Sequence, residues 1–132
     1  MRILVIEDEA LLNLLLTAEL EACGWIVETA ADARTALRVA TQAPFDLAIL
    51  DLGLPDMPGA MLLQHLQATA PRMQFIVCTG YSPGAPQRDA LPRGVRVLMK
   101  PWSRKELIAA AERIMAKLPK LEPEVRLRPI FP

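Results

Sequence analysis

Residues 46–59 read DLAILDLGLPDMPG and contain the pattern of a buried strand followed by a loop. Its first half is a short apolar run that predicts a buried strand over residues 46–50, followed directly by the acid Asp51. The glycines and prolines that come next indicate a loop. A continuous apolar strand, rather than one that alternates with polar residues, is typical of a parallel sheet covered by helices on both faces. The stretch therefore predicts an α/β domain with an acid at the carboxyl end of a strand.

Outward from this stretch, the same pattern of short apolar runs separated by helical segments recurs along the chain. It predicts five strands, over residues 3–6, 25–29, 46–50, 75–78 and 96–99. It predicts helices over residues 10–23, 33–41, 60–69 and 103–118. Gly24 ends the first helix, Asp32 caps the second, and Ser103 and Glu106 form a capping-box pattern at the last. Strands that alternate with helices imply right-handed crossovers, so we expect a doubly wound five-stranded parallel sheet.

Two segments depart from this pattern. Residues 80–94 should hold a fourth helix, but three prolines and Gly84 interrupt it, and a proline inside a helix costs about 3 kcal/mol. We therefore expect a fourth helix that is short, near residues 87–91, or disordered. Residues 119–132 are rich in proline and predict a C-terminal tail. The folded domain is expected to span residues 1–118.

The composition narrows the class of protein. Fifteen basic residues balance fifteen acidic ones, whereas a nucleic-acid binder or a binder of anionic membranes carries a basic excess. The two cysteines form no CxxC pair, so a disulfide framework or a structural metal site is not expected. No apolar run reaches the ~18 residues of a membrane span. We expect a cytoplasmic protein without a nucleic-acid or membrane partner.

Polar residues with matching chemistry follow the predicted strands. Glu7 and Asp8 come after the first strand, Asp51 after the third, Thr79 after the fourth and Lys100 after the fifth. In a doubly wound sheet the ligand site lies at the carboxyl ends of the strands, so we expect these five side chains to meet there. Three neighbouring carboxylates repel one another and require a cation. An all-oxygen ligand set beside a phosphate favours Mg²⁺.

The chemistry of these groups suggests a role for each. Asp51 is a candidate carboxylate nucleophile toward a phosphoryl donor. Asp8, Asp51 and the backbone carbonyl of Gly53 are candidate Mg²⁺ ligands, with Glu7 binding through water. Lys100 offers a positive charge to a phosphoryl oxygen, and Thr79 a hydroxyl donor.

In these motifs the sequence resembles the receiver domain of bacterial two-component response regulators, over roughly residues 2–118. The stretches that carry the resemblance are residues 3–9 (ILVIEDE), 46–59, 79–81 (TGY) and 100–102 (KPW). The resemblance implies a flavodoxin-like sheet with strand order 2-1-3-4-5 and a cis peptide bond before Pro101. It implies phosphorylation of Asp51 by a histidine kinase or phosphotransfer protein, metal roles for Glu7 and Asp8, and a switch role for Thr79 with Lys100 on the phosphoryl group. The nearest type is the single-domain, chemotaxis-regulator-like receiver.

Two departures from the family pattern concern the switch. Val97 stands where family members commonly carry Tyr or Phe as a rotating group, so we expect Thr79 to move and residues 80–92 to become ordered instead. Gly53 and Tyr81 occupy positions that influence hydrolytic attack on the phosphoryl group in receivers. Gly53 has no side chain to orient water and Tyr81 is large enough to cover the site. We therefore expect slow self-dephosphorylation.

Several alternatives stay open. The chain is expected to act by phosphorylation-dependent binding and not as an enzyme with an external product. The main alternative is a degenerate receiver that works as a constitutive scaffold. A small Mg²⁺-dependent phosphohydrolase is a weaker alternative, because Gly53 stands where such enzymes usually carry a second Asp. A transcription factor is least expected, because no helix-turn-helix pattern follows residue 118. The leucines of the first helix are more than one core face needs. Either they pack in the core with some left exposed, or they bind a kinase or a second copy of the chain in a homodimer. His65 is expected to be an exposed helical residue.

Overall fold

The computed structural model describes residues 1–118. Strands are β1 (Arg2–Ile6), β2 (Ile26–Ala30), β3 (Leu47–Asp51), β4 (Gln74–Thr79) and β5 (Arg96–Met99). Helices are α1 (Ala10–Ala22), α2 (Ala33–Gln42), α3 (Gly59–Thr69), α4 (Pro86–Asp89) and α5 (Arg104–Lys117). The predicted tail over residues 119–132 lies outside the described residues. No described helix has both the length and the apolar composition needed to cross a bilayer.

The five strands form one parallel sheet in the order β2-β1-β3-β4-β5. The predicted doubly wound, flavodoxin-like fold is therefore confirmed. In the register of the sheet, Ile6 lies opposite Leu50, and Asp51 lies opposite Cys78. The carboxyl ends of β1, β3 and β4 consequently meet at the same edge.

Burial separates the central strands from the edge strands. Apolar side chains of β1 and β3 pack alternately into two cores, one beneath α2 and α3 and the other beneath α1 and α5. Four consecutive residues of β1 (Ile3, Leu4, Val5 and Ile6) are fully buried, as a sheet covered on both faces requires. On the edge strand β2, by contrast, Ile26 is exposed. The continuous apolar pattern thus identifies the centre of the sheet.

Local signals set the helix ends. Gly24 adopts a positive φ of 86° just after α1, a conformation that favours glycine. The carboxylate of Asp32 accepts a hydrogen bond of 2.7 Å from the Thr35 amide, which confirms it as the N-cap of α2. At α5, Ser103 Oγ accepts from the Glu106 amide at 3.1 Å. Helix α4 is a single turn, as the prolines predict, and begins at Pro86 rather than at residue 87.

Helix α1 is apolar on two opposite faces. Leu16 and Leu20 are buried against the sheet. On the outer face Leu11, Leu14 and Leu15 are 66%, 65% and 51% exposed. Exposed apolar side chains that cluster on one surface are typical of contacts with a partner. A docking role for this face stays a prediction.

Candidate functional site

The predicted site residues all lie at the carboxyl edge of the sheet. Glu7 and Asp8 follow β1, Asp51 is the last residue of β3, Thr79 is the last residue of β4 and Lys100 follows β5. Parallel strands place these positions side by side, so a site that is scattered over the sequence becomes local in space. His65 lies on the exposed surface of α3, away from this edge.

Three carboxylates and one ammonium form the centre of the site. Glu7, Asp8 and Asp51 each offer an oxygen within 4.8 Å of the others. Lys100 Nζ lies 3.0 Å from Asp51 Oδ2 and 3.4 Å from Glu7 Oε1. The Lys100 ammonium therefore bridges the two less exposed acids. One ammonium against three carboxylates leaves an excess of negative charge in this cluster.

The pKa values of Glu7 and Lys100 are both shifted by burial and by their charged neighbours in this cluster. Burial, together with the charge of Asp51, raises the pKa of Glu7 to about 7. Burial alone would lower the pKa of Lys100, but its hydrogen bond to Asp51 and the charges of Asp51 and Glu7 outweigh burial and raise it. Lys100 therefore stays charged at neutral pH. An oxygen-only set that is short of positive charge fits a hard divalent cation such as Mg²⁺.

Thr79 is fully buried beside this cluster. Its Oγ1 accepts a hydrogen bond of 3.0 Å from the Tyr81 amide, which fixes the start of the loop after β4. The Tyr81 side chain is itself 37% exposed. Within β4, burial raises the pKa of the Cys78 thiol to about 12, so the thiol stays protonated at neutral pH. The peptide bond between Lys100 and Pro101 is cis.

The loop after Asp51, residues 52–59, is named here the acceptor loop. The Gly53 amide donates to Asp51 Oδ1 at 3.2 Å, and the Gly59 amide donates to the Leu52 carbonyl at 3.1 Å. A Cβ on Gly59 would lie 2.5 Å from Leu52 Cα. Only glycine permits this close approach, so Gly59 closes the loop directly behind the acid.

Sequence reasoning missed one residue of this region, Asp56. Its carboxylate accepts hydrogen bonds from the amides of Ala33 and Arg34, at the start of α2. Nothing in the local pattern PDMPG identifies this role, because the two amides lie 23 and 22 residues earlier in the chain.

Comparison with known proteins agrees with this geometry. Residues 3–112 match the response regulator receiver domain. The chain belongs to the response regulator receiver family. Receiver domains serve two-component systems and have an acidic pocket for Mg²⁺ and aspartate phosphorylation. The predicted membership of the family is thereby confirmed.

Among curated relatives, this receiver is similar to PhoP regulators. It is 31% identical to the two-component response regulator PhoP of Pseudomonas aeruginosa, over 89% of the chain and 52% of that protein. It is 30% identical to the transcriptional regulatory protein PhoP of Escherichia coli, over 99% of the chain and 59% of that protein. The chain thus spans between half and three fifths of the length of these relatives.

Solved receivers show the same fold. The chemotaxis protein CheY4 of Vibrio cholerae matches with a TM-score of 0.76 at 26% identity, covering 86% of this chain and 97% of that one. The receiver domain of a sensor histidine kinase of Pseudomonas aeruginosa, solved with magnesium in its active-site cleft, matches with a TM-score of 0.79 at 26% identity. This match covers 88% of this chain and 98% of that one.

Proposed function

We propose that this receiver, folded over residues 1–118, is a phosphorylation-dependent interaction switch with Asp51 as its phosphoacceptor. The observation that carries the proposal is the contact of Lys100 Nζ with Asp51 Oδ2 at 3.0 Å, beside Glu7 and Asp8. The ammonium lies where a phosphoryl oxygen on Asp51 would need a positive charge, and the Asp51 carboxylate is the group that would attack the donor.

The donor is a histidine kinase or a phosphotransfer protein that carries phosphohistidine. A carboxylate oxygen of Asp51 attacks the phosphorus, an O–P bond forms, and the P–N bond to the imidazole breaks. The electron pair of that bond returns to the imidazole nitrogen, which then takes up a proton. The buried hydroxyl of Thr79 and the ammonium of Lys100 are the groups of this chain that would hold the transferred phosphoryl oxygens.

Mg²⁺ fits the acids of this site. Asp8, Asp51 and the Gly53 carbonyl would hold it, with Glu7 binding through water. When bound, the ion supplies positive charge that offsets the charge on the phosphoryl oxygens. Without it, the three carboxylates have only Lys100 as a positive neighbour among the described residues of the cluster.

The outer face of α1 is the surface we propose for the phosphodonor. It carries Leu11, Leu14 and Leu15, and beside it lies a groove of about 260 Å³ that Trp102 and Lys100 help to line. A partner in this groove would touch both the apolar face and the edge of the phosphoacceptor site. A second copy of the chain, in a homodimer, is the other occupant that the same leucines would suit.

Output is proposed to pass through a change of binding partner. Val97 is half-buried and has no ring to reorient, so the proposed response is a shift of Thr79 and ordering of residues 80–92. The PhoP relative of Escherichia coli is named a transcriptional regulatory protein, and that name describes a longer protein than this chain. For this chain we propose binding to protein partners.

The alternative function is a constitutive scaffold that resembles a receiver but does not respond to phosphorylation. Val97 and the single-turn α4 favour it, since both lie in the part of the fold that would move. The presence of Glu7, Asp8, Asp51 and Lys100 favours the switch. A raised pKa such as that of Glu7 is typical of a functional site, and binding as a scaffold does not require one.

The intact mass of the protein after incubation with acetyl phosphate and Mg²⁺ tests the proposal. We expect wild type to gain the mass of one phosphoryl group, and Asp51→Asn to gain none. Asp89→Asn, an exposed acid on α4, is the matched control and should behave as wild type. Equal gains in wild type and Asp51→Asn would refute the acceptor. No gain in wild type, with acetyl phosphate and with phosphorylated kinases, would favour the scaffold.

A further inference from the structure

Helix α2 and the acceptor loop are joined by one side chain, Asp56. Its Oδ1 accepts from the Ala33 amide at 2.9 Å, and its Oδ2 accepts from the Arg34 amide at 3.0 Å. Both bonds are made by an exposed residue in the middle of the loop that begins directly after the phosphoacceptor Asp51. A side chain that uses both carboxylate oxygens on another element fixes its own position as well as that of its partner.

The first backbone amides of α2 require hydrogen-bond acceptors, and the Asp56 carboxylate provides two. The first amides of a helix have no partner within the helix, and together they carry a partial positive charge. At α2, Asp32 satisfies the Thr35 amide, and Asp56 satisfies Ala33 and Arg34. The Ala33 and Arg34 amides hold the pKa of Asp56 below its usual range, so the carboxylate is ionised at neutral pH.

The same contact places the loop relative to the acids of β1. Helix α2 follows β2, and the carbonyl of Ala30 at the end of β2 accepts a hydrogen bond of 3.0 Å from the Glu7 amide. Asp56 thus connects the acceptor loop to the backbone next to the carboxylates of Glu7 and Asp8. At its ends the loop is held by Gly53 on Asp51 and by Gly59 on Leu52.

We propose that Asp56 is a positioning residue that holds the acceptor loop, and with it the Gly53 backbone, in place for a divalent cation at Glu7, Asp8 and Asp51. The inference rests on the proposed function, since it needs the acid cluster to bind Mg²⁺. It assigns to α2 a part in the site, although no side chain of α2 belongs to the acid cluster. Asp56 acts through the backbone of the loop and does not touch the reacting atoms.

Isothermal titration with MgCl₂ on four proteins tests this role: wild type, Asp56→Ala, Asp56→Asn and Asp32→Ala. Asp32→Ala is the matched control, because it also removes a cap from α2 but leaves the acceptor loop attached. We expect Asp56→Ala to bind Mg²⁺ about 3- to 10-fold more weakly, below the range for groups bonded directly to ligands. Asp56→Asn keeps one acceptor oxygen and should fall between wild type and Asp56→Ala. Asp32→Ala should stay within about twofold of wild type, although its urea midpoint shifts as far as that of Asp56→Ala.

Three outcomes would count against the positioning role. Equal losses of Mg²⁺ affinity in Asp32→Ala and Asp56→Ala would mean that general stability of α2 matters, and the positioning role would be overturned. Wild-type affinity in both Asp56 variants would overturn it as well, while leaving the proposed function intact. Absence of Mg²⁺ binding in wild type would refute both. If Asp56→Ala does not fold, the comparison of Asp56→Asn with Asp32→Ala carries the same decision.

Discussion

The two loops beside the acid cluster are held in different ways. The acceptor loop is fixed at three points, by Gly53 on Asp51, Asp56 on α2 and Gly59 on Leu52. The loop after β4, residues 80–92, is named here the switch loop. It includes the single turn of α4. Its start is held by the Tyr81 amide on Thr79, and Arg88 donates to the Tyr81 carbonyl at 3.3 Å and to Met99 Sδ at 2.9 Å. Most side chains of the switch loop are exposed.

The difference assigns separate tasks to the two loops. A loop that directly follows a proposed nucleophile and supplies a proposed metal ligand needs a fixed backbone, because small displacements would weaken both functions. A loop that must change shape is drawn from the less stable parts of a fold, where few apolar contacts are lost on opening. We therefore expect the acceptor loop to stay in place and the switch loop to respond.

Gly59→Ala should destabilise the protein most, because it disturbs the closely packed acceptor loop. The added Cβ would meet backbone atoms at 2.5 Å and 2.9 Å, so the loop must shift, at a cost of about 3 kcal/mol in the free energy of unfolding. Gly80→Ala in the switch loop is the control, since nothing lies within 4 Å of its Cβ. Urea unfolding of the two variants checks this. Equal free energies of unfolding for the two variants would contradict the expectation that the acceptor loop cannot shift without cost.

The pH dependence of the metal-free protein should be nearly as large. The folded-state pKa of Glu7 is raised from 4.5 to about 7, so the folded state binds more protons than the unfolded state between these values. Stability is therefore full below pH 4.5 and falls as the pH rises through about 7, by on the order of 2–3 kcal/mol. Thermal unfolding without Mg²⁺ from pH 5 to 8 measures this slope. Glu7→Gln should flatten it, and an unchanged slope in that variant would assign the effect to another group.

Amide hydrogen exchange tests the proposed response of the switch loop. On phosphorylation by acetyl phosphate, exchange in the switch loop should slow by about tenfold, because ordering makes opening of its amide hydrogen bonds less frequent. Exchange in the acceptor loop should change far less. Equal protection of the switch loop in both states would reject the proposed ordering. Asp51→Asn treated in the same way controls for effects of acetyl phosphate itself.

The smallest expected effect on stability is that of Tyr81→Ala. An exposed substitution of this kind changes the free energy of unfolding by roughly 0.5 kcal/mol or less. If the ring covers the phosphoryl group, however, its removal should speed the loss of phosphate from Asp51. Loss of the phosphoryl mass over time measures this rate. Tyr81→Phe, which keeps the ring, should retain the slow rate, and a faster rate in wild type than in Tyr81→Ala would reject the covering role.

Patterns along the chain predicted the fold and the members of the acid cluster. Central strands such as β1 read as unbroken apolar runs because helices cover both of their faces, and the residues after them then meet at one edge. Several strand limits differ from the predicted ones by one residue. Thr79 thus lies within β4, and Asp46 precedes β3 although its carboxylate binds the Arg2 amide.

What the sequence did not predict depends on distances across the fold. In the sequence, Asp56 is an ordinary loop acid. Its role follows from the fold, which places the Ala33 and Arg34 amides at the start of α2 within hydrogen-bond distance of its carboxylate. Gly59 reads as a turn residue, and only the 2.5 Å approach to Leu52 shows why a side chain is excluded. The raised pKa of Glu7 likewise needs the burial and the neighbouring charge that folding creates.

The parallel arrangement of the sheet also determines where a fusion partner can be attached without covering the acid cluster. Trp25, just before β2, donates its indole N–H to Met115 in the last turn of α5, so α5 ends at the amino edge of the strands. Asp51 lies at the opposite edge. A fluorescent reporter or affinity tag fused after Leu118 would therefore leave the carboxyl edge free for partners. Attachment to a surface through that end would present Asp51, the proposed phosphoacceptor, toward the solution.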